Sequence, residues 1–175
     1  MNLEQTVQAL NARFPGLNAR SPRVFRIWSD FVEPKTFEKA LRYAYEELRF
    51  VKGKHLIGTD EGEYIGLSYI VSNDENVLLV LRERVPKESP IVRSQGDLYP
   101  SMVLHEREMV DLFGVRVSGL PEGPSYPLPD CWPEGQYPLR KEWNPAYFNK
   151  ETMAYEPPKK ETMAYEPPKE EAKHE

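Results

Sequence analysis

Seven prolines fall within residues 121–145 (Pro121, Pro124, Pro127, Pro129, Pro133, Pro138 and Pro145), and no other feature limits the fold of this chain so strongly. Each proline fixes its own backbone, withholds an N–H and biases the preceding residue away from helix, so this stretch is expected to be a stiff, extended arm. It also carries Tyr126, Leu128, Trp132, Tyr137, Leu139 and Trp143. Such apolar groups must be covered by the chain's own flank or by another protein. Further on, residues 150–159 read KETMAYEPPK and residues 160–169 repeat the same decapeptide. Paired prolines and little aliphatic content build no core, so the expected state is a disordered or extended tail. Met153, Tyr155, Met163 and Tyr165 are the groups through which two identical weak motifs could hold a partner. Three parts are expected: an α+β domain over 1–120, a proline-rich docking arm over 121–149 and a repeat-containing tail over 150–175.

Within the first part, Asn2 can cap a helix running through LEQTVQALNARF, stopped by Phe14-Pro-Gly16. A β-rich stretch follows at Arg23–Trp28. Pro34 then sits where a first helical turn tolerates it, and Phe37, Leu41, Ala44, Tyr45 and Leu48 form one apolar stripe, with Glu38 and Arg42 spaced to pair on the other side. Strands are expected at 54–59, 63–72 and 76–85, the last two joined by the polar turn Asn73-Asp-Glu-Asn76. A final helix near 95–113 ends at Gly114, with Ser94 or Asp97 as its cap. The pattern is that of a two-layer sandwich, helices on a small, mostly antiparallel sheet.

Composition removes several function classes. The lone Cys131 excludes an internal disulfide or a cysteine-only metal cluster, and its expected state is a buried or inert thiol. Apolar runs such as Val77–Leu81 fall far short of the roughly 20 residues a membrane span needs. Residues 1–5 lack a signal pattern, so the chain is expected to be soluble and unprocessed. A net charge of −5 gives no electrostatic reason to bind nucleic acid or an anionic bilayer directly.

The informative segment is DLYPSMVLHEREMVDLFGV, residues 97–115. His105, Glu106, Arg107, Glu108 and Asp111 crowd into two helical turns. Arg107 and Asp111 stand four apart and can pair, whereas Glu106 and Glu108 have only Val110 and Leu112 at that spacing. Those two carboxylates need partners from elsewhere. A metal or enzymatic reading would use His105, Glu108 and Asp111, but the set is not His-Glu-x-x-His, and Arg107 adds a repelling cation. His55 reads as a polar residue at the core edge and His174 as a solvated one. A freestanding peptide-binding adaptor is a third option.

The string Glu106-Arg-Glu-Met-Val-Asp-Leu-Phe-Gly114, preceded by His105, and the later Pro129-Asp-Cys-Trp132 and Pro138-Leu-Arg-Lys141, resemble one family. It is the 30 kDa (C) subunit of respiratory complex I, with its relatives in membrane-bound, energy-converting nickel–iron hydrogenases. Past the Phe-Gly, Gly119-Leu-Pro121 and Glu122-Gly-Pro-Ser-Tyr126 lack the histidine and paired arginines usual in complex I, which points to the hydrogenase-like branch.

The resemblance implies a noncatalytic subunit with no cofactor of its own, on the cytoplasmic side of a membrane complex. It would dock on the large 49 kDa-type catalytic subunit beside iron–sulfur subunits. The 4Fe–4S clusters, and a nickel–iron centre if there is one, would belong to those neighbours. By residue, it places His105, Glu106, Arg107, Glu108 and Asp111 in a charge network within and between subunits. Phe113 and Gly114 would set the turn into the arm, and Trp132, Pro138, Leu139, Arg140 and Lys141 would lie at the interface.

Overall fold

The computed structural model describes residues 2–157. Helix α1 (Leu3–Arg13) starts as its sequence dictates: the Asn2 side chain accepts from the Gln5 N–H at 2.8 Å, and the Gln5 side chain accepts from the Asn2 N–H at 3.1 Å. This reciprocal bonding satisfies two otherwise orphaned donors. The β-rich stretch after it is a hairpin, β1 (Arg20–Arg23) and β2 (Arg26–Val32), rather than one strand at 23–28. Its tip is Val24-Phe25, both exposed, with Phe25 at φ +60°. No glycine or asparagine marks that turn, which is why the pattern concealed it.

Helix α2 (Pro34–Glu46) buries Phe37, Leu41 and Ala44 of the expected stripe together with Ala40, while Tyr45 is half-buried and Leu48 is buried just past the helix end. Its Arg42 turns away from Glu38 and reaches Glu46 at 3.4 Å and Asp97 at 3.3 Å. Strands β3 (Lys52–Asp60), β4 (Tyr64–Ser72) and β5 (Leu78–Pro86) form the meander, each within two or three residues of its expected bounds. The sheet runs β1-β2-β5-β4-β3 and is antiparallel except for the parallel pair β2 and β5. Helix α2 carries the chain from β2 across to β3 at the far edge, and the meander then brings β5 back beside β2, a long connection of the kind parallel neighbours require.

Short β6 (Ile91–Arg93) leads to α3 (Met102–Phe113), and β7 (Arg116–Ser118) returns parallel to β6. Inward residues of the meander (Leu56, Ile65, Leu67, Tyr69, Val71, Leu79, Leu81, Val85) share one core with Leu10, Phe37, Leu41, Met102, Met109 and Phe113. Helices therefore cover one face of the sheet. The α+β, mostly antiparallel architecture expected from the sequence is the one observed. Two strands close the described chain, β8 (Phe148–Asn149) and β9 (Ala154–Tyr155), paired antiparallel. They hold part of the first decapeptide, where solvated or extended tail was expected. Met163, Tyr165 and the second decapeptide lie outside the described residues.

Candidate functional site

Helix α3 begins later than its pattern suggests, at Met102. The two candidate caps are engaged elsewhere: the Ser94 hydroxyl with Glu106, and Asp97 with Arg42. Ser101 stands at the cap position, and its hydroxyl donates to the Gly53 carbonyl at 3.2 Å, tying the helix start to β3. Two glycines let α3 lie this close. A Cβ on Gly53 would stand 2.6 Å from Ser101 Oγ, and one on Gly58 would stand 2.7 Å from Met109 Sδ. At the far end Gly114 adopts φ +67°, the left-handed turn that closes a helix.

The charged residues of this helix resolve differently from their spacing. Glu106 is fully buried, and both of its oxygens are satisfied within the chain: Ser94 Oγ donates to Oε2 at 2.6 Å and the Gln95 N–H to Oε1 at 2.7 Å. Its charge is therefore not a surface group for another subunit, contrary to expectation. Burial pushes its carboxyl up, and the two donors partly offset that rise. Arg107 does not pair with Asp111. Its guanidinium donates to the Pro124 carbonyl at 3.2 Å and to that of Pro121, while Asp111 Oδ2 accepts from the Leu128 N–H at 3.2 Å. Each charge thus satisfies backbone in the proline arm, where the missing proline N–H groups leave main-chain groups without main-chain partners. Glu108 Oε2 lies 3.2 Å from His105 Nδ1, and His105 Nε2 lies 3.5 Å from His55 Nδ1. The set His105, Glu108 and Asp111 does not converge, and no group of three or more such side chains among the described residues is placed to hold a metal ion.

The arm consequently runs back along its own domain. The Tyr137 ring lies over Gly114, where a Cβ would collide with it. The Leu139 N–H donates to the Leu112 carbonyl at 3.1 Å, and Arg140 Nε donates to the Phe113 carbonyl at 2.7 Å. Arg140 also lies 4.6 Å over the Tyr137 ring. Phe113 itself is buried in the core, and so is not an interface group. Pro138 is half-buried, Leu139 is 53% exposed and Lys141 is exposed. Beneath this block sits a residue that sequence reasoning missed, Asp60, with a side chain only 3% exposed. It accepts from Gly62 N–H at 2.8 Å, Lys141 N–H at 2.8 Å and Lys87 Nζ at 2.6 Å, and Lys87 also meets Glu142. Burial works against its ionised form, but Lys87 and the two N–H groups outweigh burial and hold its carboxyl down at about 2. The Asp60-Glu-Gly62 turn was the only local signal; its partners are distant in sequence.

Trp132 packs against Phe148 with ring centroids 4.7 Å apart, and Trp143 stacks on Tyr155 at 5.8 Å. Trp132 Nε1 donates to the Gln136 carbonyl at 2.7 Å, and the Tyr155 hydroxyl accepts from the Asn144 N–H at 3.0 Å. The first decapeptide is thereby seated on the arm. Cys131 is exposed.

Residues 31–149 match the family described as respiratory-chain NADH dehydrogenase, 30 kDa subunit, a span that contains both motifs of α3 and the arm. The chain belongs to this 30 kDa subunit family. Relatives include an F420H2 dehydrogenase subunit of Methanosarcina mazei, 29% identical over 82% of this chain and 92% of the relative. The membrane-bound hydrogenase subunit beta of Pyrococcus furiosus is 27% identical over 79% of this chain and 84% of the relative. In fold, the chain matches part of an archaeal membrane-bound sulfane sulfur reductase with a TM-score of 0.71 and 23% identity, covering 81% of this chain and 85% of that one. A trypsin-resistant fragment of Nqo5 matches with a TM-score of 0.59 and 22% identity, over 70% of this chain and all of the fragment. Among its described residues, this 30 kDa-type chain has no helix long and apolar enough to cross a membrane.

Proposed function

We propose that this chain is a noncatalytic subunit in the hydrophilic arm of a membrane-bound redox complex of the hydrogenase and NADH dehydrogenase type. It docks on a 49 kDa-type catalytic subunit beside iron–sulfur subunits, on the cytoplasmic side, and meets the membrane through them. Those neighbours carry the 4Fe–4S clusters and, in a hydrogenase, the nickel–iron centre. One observation carries the reading: the charged groups of the family motif hold the arm onto α3 instead of converging on a reactive centre. Arg107, Asp111 and Arg140 each grip arm or helix backbone. The result is a rigid platform whose ordering entropy is already spent before a partner arrives.

The contact groups are those the platform leaves outward: Leu104 at 47% exposure, Tyr126 at 39%, Leu139, Lys141, and the half-buried His105, Glu108 and Trp132. The test is native co-purification in mild detergent of the full chain, its Leu139→Asp variant and its Lys141→Glu variant. The expected outcome is recovery of the large subunit with the parent chain, at least tenfold less with Leu139→Asp, and unchanged melting of the isolated variants. Full recovery with both variants would refute this docking face. A monomeric parent chain in native extract would refute the subunit role itself.

A further inference from the structure

His55 on β3 and His105 on α3 face each other, with ring centroids 4.5 Å apart and planes at 87°. Nδ1 of His55 stands 3.5 Å from Nε2 of His105. On the other side of the His105 ring, Nδ1 lies 3.2 Å from Glu108 Oε2. An ionised carboxylate only accepts, so in neutral His105 this contact places the proton on Nδ1 and leaves the lone pair on Nε2, the nitrogen next to His55.

Two imidazole nitrogens in that relation share either a proton or a cation. Nitrogens bound at about 2.0–2.1 Å to one tetrahedral ion stand roughly 3.3–3.4 Å apart. The observed separation is close to that span, and with the ring centroids only 4.5 Å apart the exposed His55 ring turns outward to aim at the same ion. Glu108 occupies the outer position from which a carboxylate orients a ligating histidine and raises its basicity. The two nitrogens are also held by rigid elements, because Gly53 and Gly58 seat α3 closely on β3. His55 is exposed, which gives an ion a way in, and Arg107, the cation expected to repel one, is turned into the arm.

We propose that His55 and His105 are paired ligands for a transition cation that favours imidazole, Zn²⁺, Ni²⁺ or Cu²⁺, with Glu108 orienting His105. Two ligands are half of a tetrahedral shell, and in the isolated chain water fills the other half. The cation competes with protons for both nitrogens, so acid weakens binding.

Calorimetric titration of the full chain with Zn²⁺ at about pH 7.5, in a His174→Ala background that removes the imidazole near the chain end, tests this. One equivalent is expected to bind, at least tenfold more weakly after His55→Ala or His105→Ala. Glu108→Ala is expected to weaken binding by roughly 10- to 100-fold. His55 is exposed, so His55→Ala keeps the fold, which circular dichroism checks. With Cu²⁺ as the probe, the nitrogen hyperfine pattern in the electron paramagnetic resonance spectrum should change from that of two imidazoles in the parent to that of one in the same variant. Zn²⁺ binding unchanged by His55→Ala, or no saturable binding in the parent, would overturn the proposal and leave a proton shared between two imidazoles. Unchanged binding after Glu108→Ala would overturn the part assigned to that carboxylate. His105 and Glu108 also belong to the proposed docking face, but titration of the isolated chain reads the cation site without a partner, so the two proposals fail separately.

Discussion

Glu106 shows at the residue scale why helical spacing misassigned a group that it had correctly singled out. The i, i+4 rule sees only the helix's own surface, where Glu106 has Val110. Its actual partners come from Ser94 and Gln95, in a segment that β6 and β7 position through the Ser94 N–H to the Ser118 carbonyl at 2.8 Å. Glu106→Ala would strand both donors in the interior, at about 1–3 kcal/mol for each buried group left unsatisfied. The isolated chain is therefore expected to lose roughly 2–6 kcal/mol in a denaturant titration, and loss of assembly should follow from loss of fold. Glu83, which no motif flagged, is the second such carboxyl. It is buried on β5 with Oε1 unpaired, and burial, reinforced by Glu38 and Glu106, pushes it up to about 8. The folded state then binds a proton that the unfolded state has released above about pH 4.3. This contribution to stability is full below about pH 4.3, falls as pH rises from there, and is gone above about 8. Glu83→Gln should therefore melt higher than the parent at about pH 8.5 and show a flatter profile between about pH 4 and 8.

At the scale of elements, α3 and the arm form one unit, and neither is intelligible from its own sequence pattern. The charge run was legible as needing partners, and the prolines as making extended chain. That each supplies what the other lacks was not, because main-chain groups left unpaired by proline carry no sequence signature of where they are satisfied. Arg107 joins the two at the Pro121 and Pro124 carbonyls, and Asp111 joins them at Leu128. Because the bonds are partly exposed, Arg107→Ala should cost the global fold only about 1–2 kcal/mol. Locally the effect should be larger, since the Pro121–Leu128 stretch is held to the helix by little else. Limited proteolysis of the native chain should cut within residues 121–130 several times faster in Arg107→Ala, and faster again in Arg107→Ala with Asp111→Ala. Cleavage at the parent rate would mean that arm packing, and not these bonds, holds the segment.

For the whole molecule, period and turn chemistry were enough to reveal a helix-covered antiparallel sheet. The β2–β5 pairing was not readable, since strands far apart in sequence pair through a register that no local pattern encodes. Long-range closure was equally hidden. Asp60 at the end of β3, Lys87 just past β5, and Lys141 with Glu142 in the arm meet at one point, so a single buried carboxylate joins the edge of the sheet to the last third of the chain. Its carboxyl is held at about 2 when folded, against 3.8 when free, so the unfolded chain takes up the proton first as pH falls. The stabilisation is therefore complete above about pH 4–5 and disappears as pH drops towards 2. That shift corresponds to roughly 2 kcal/mol. Asp60→Asn keeps the shape but loses the charge facing Lys87, and it should lower stability by about that amount at neutral pH and by almost nothing near pH 2. Urea titrations of the parent and variant across pH 2–7 would show the two curves converging in acid if the carboxylate is the clasp. Curves that stay parallel would assign the closure to the arm's apolar contacts instead.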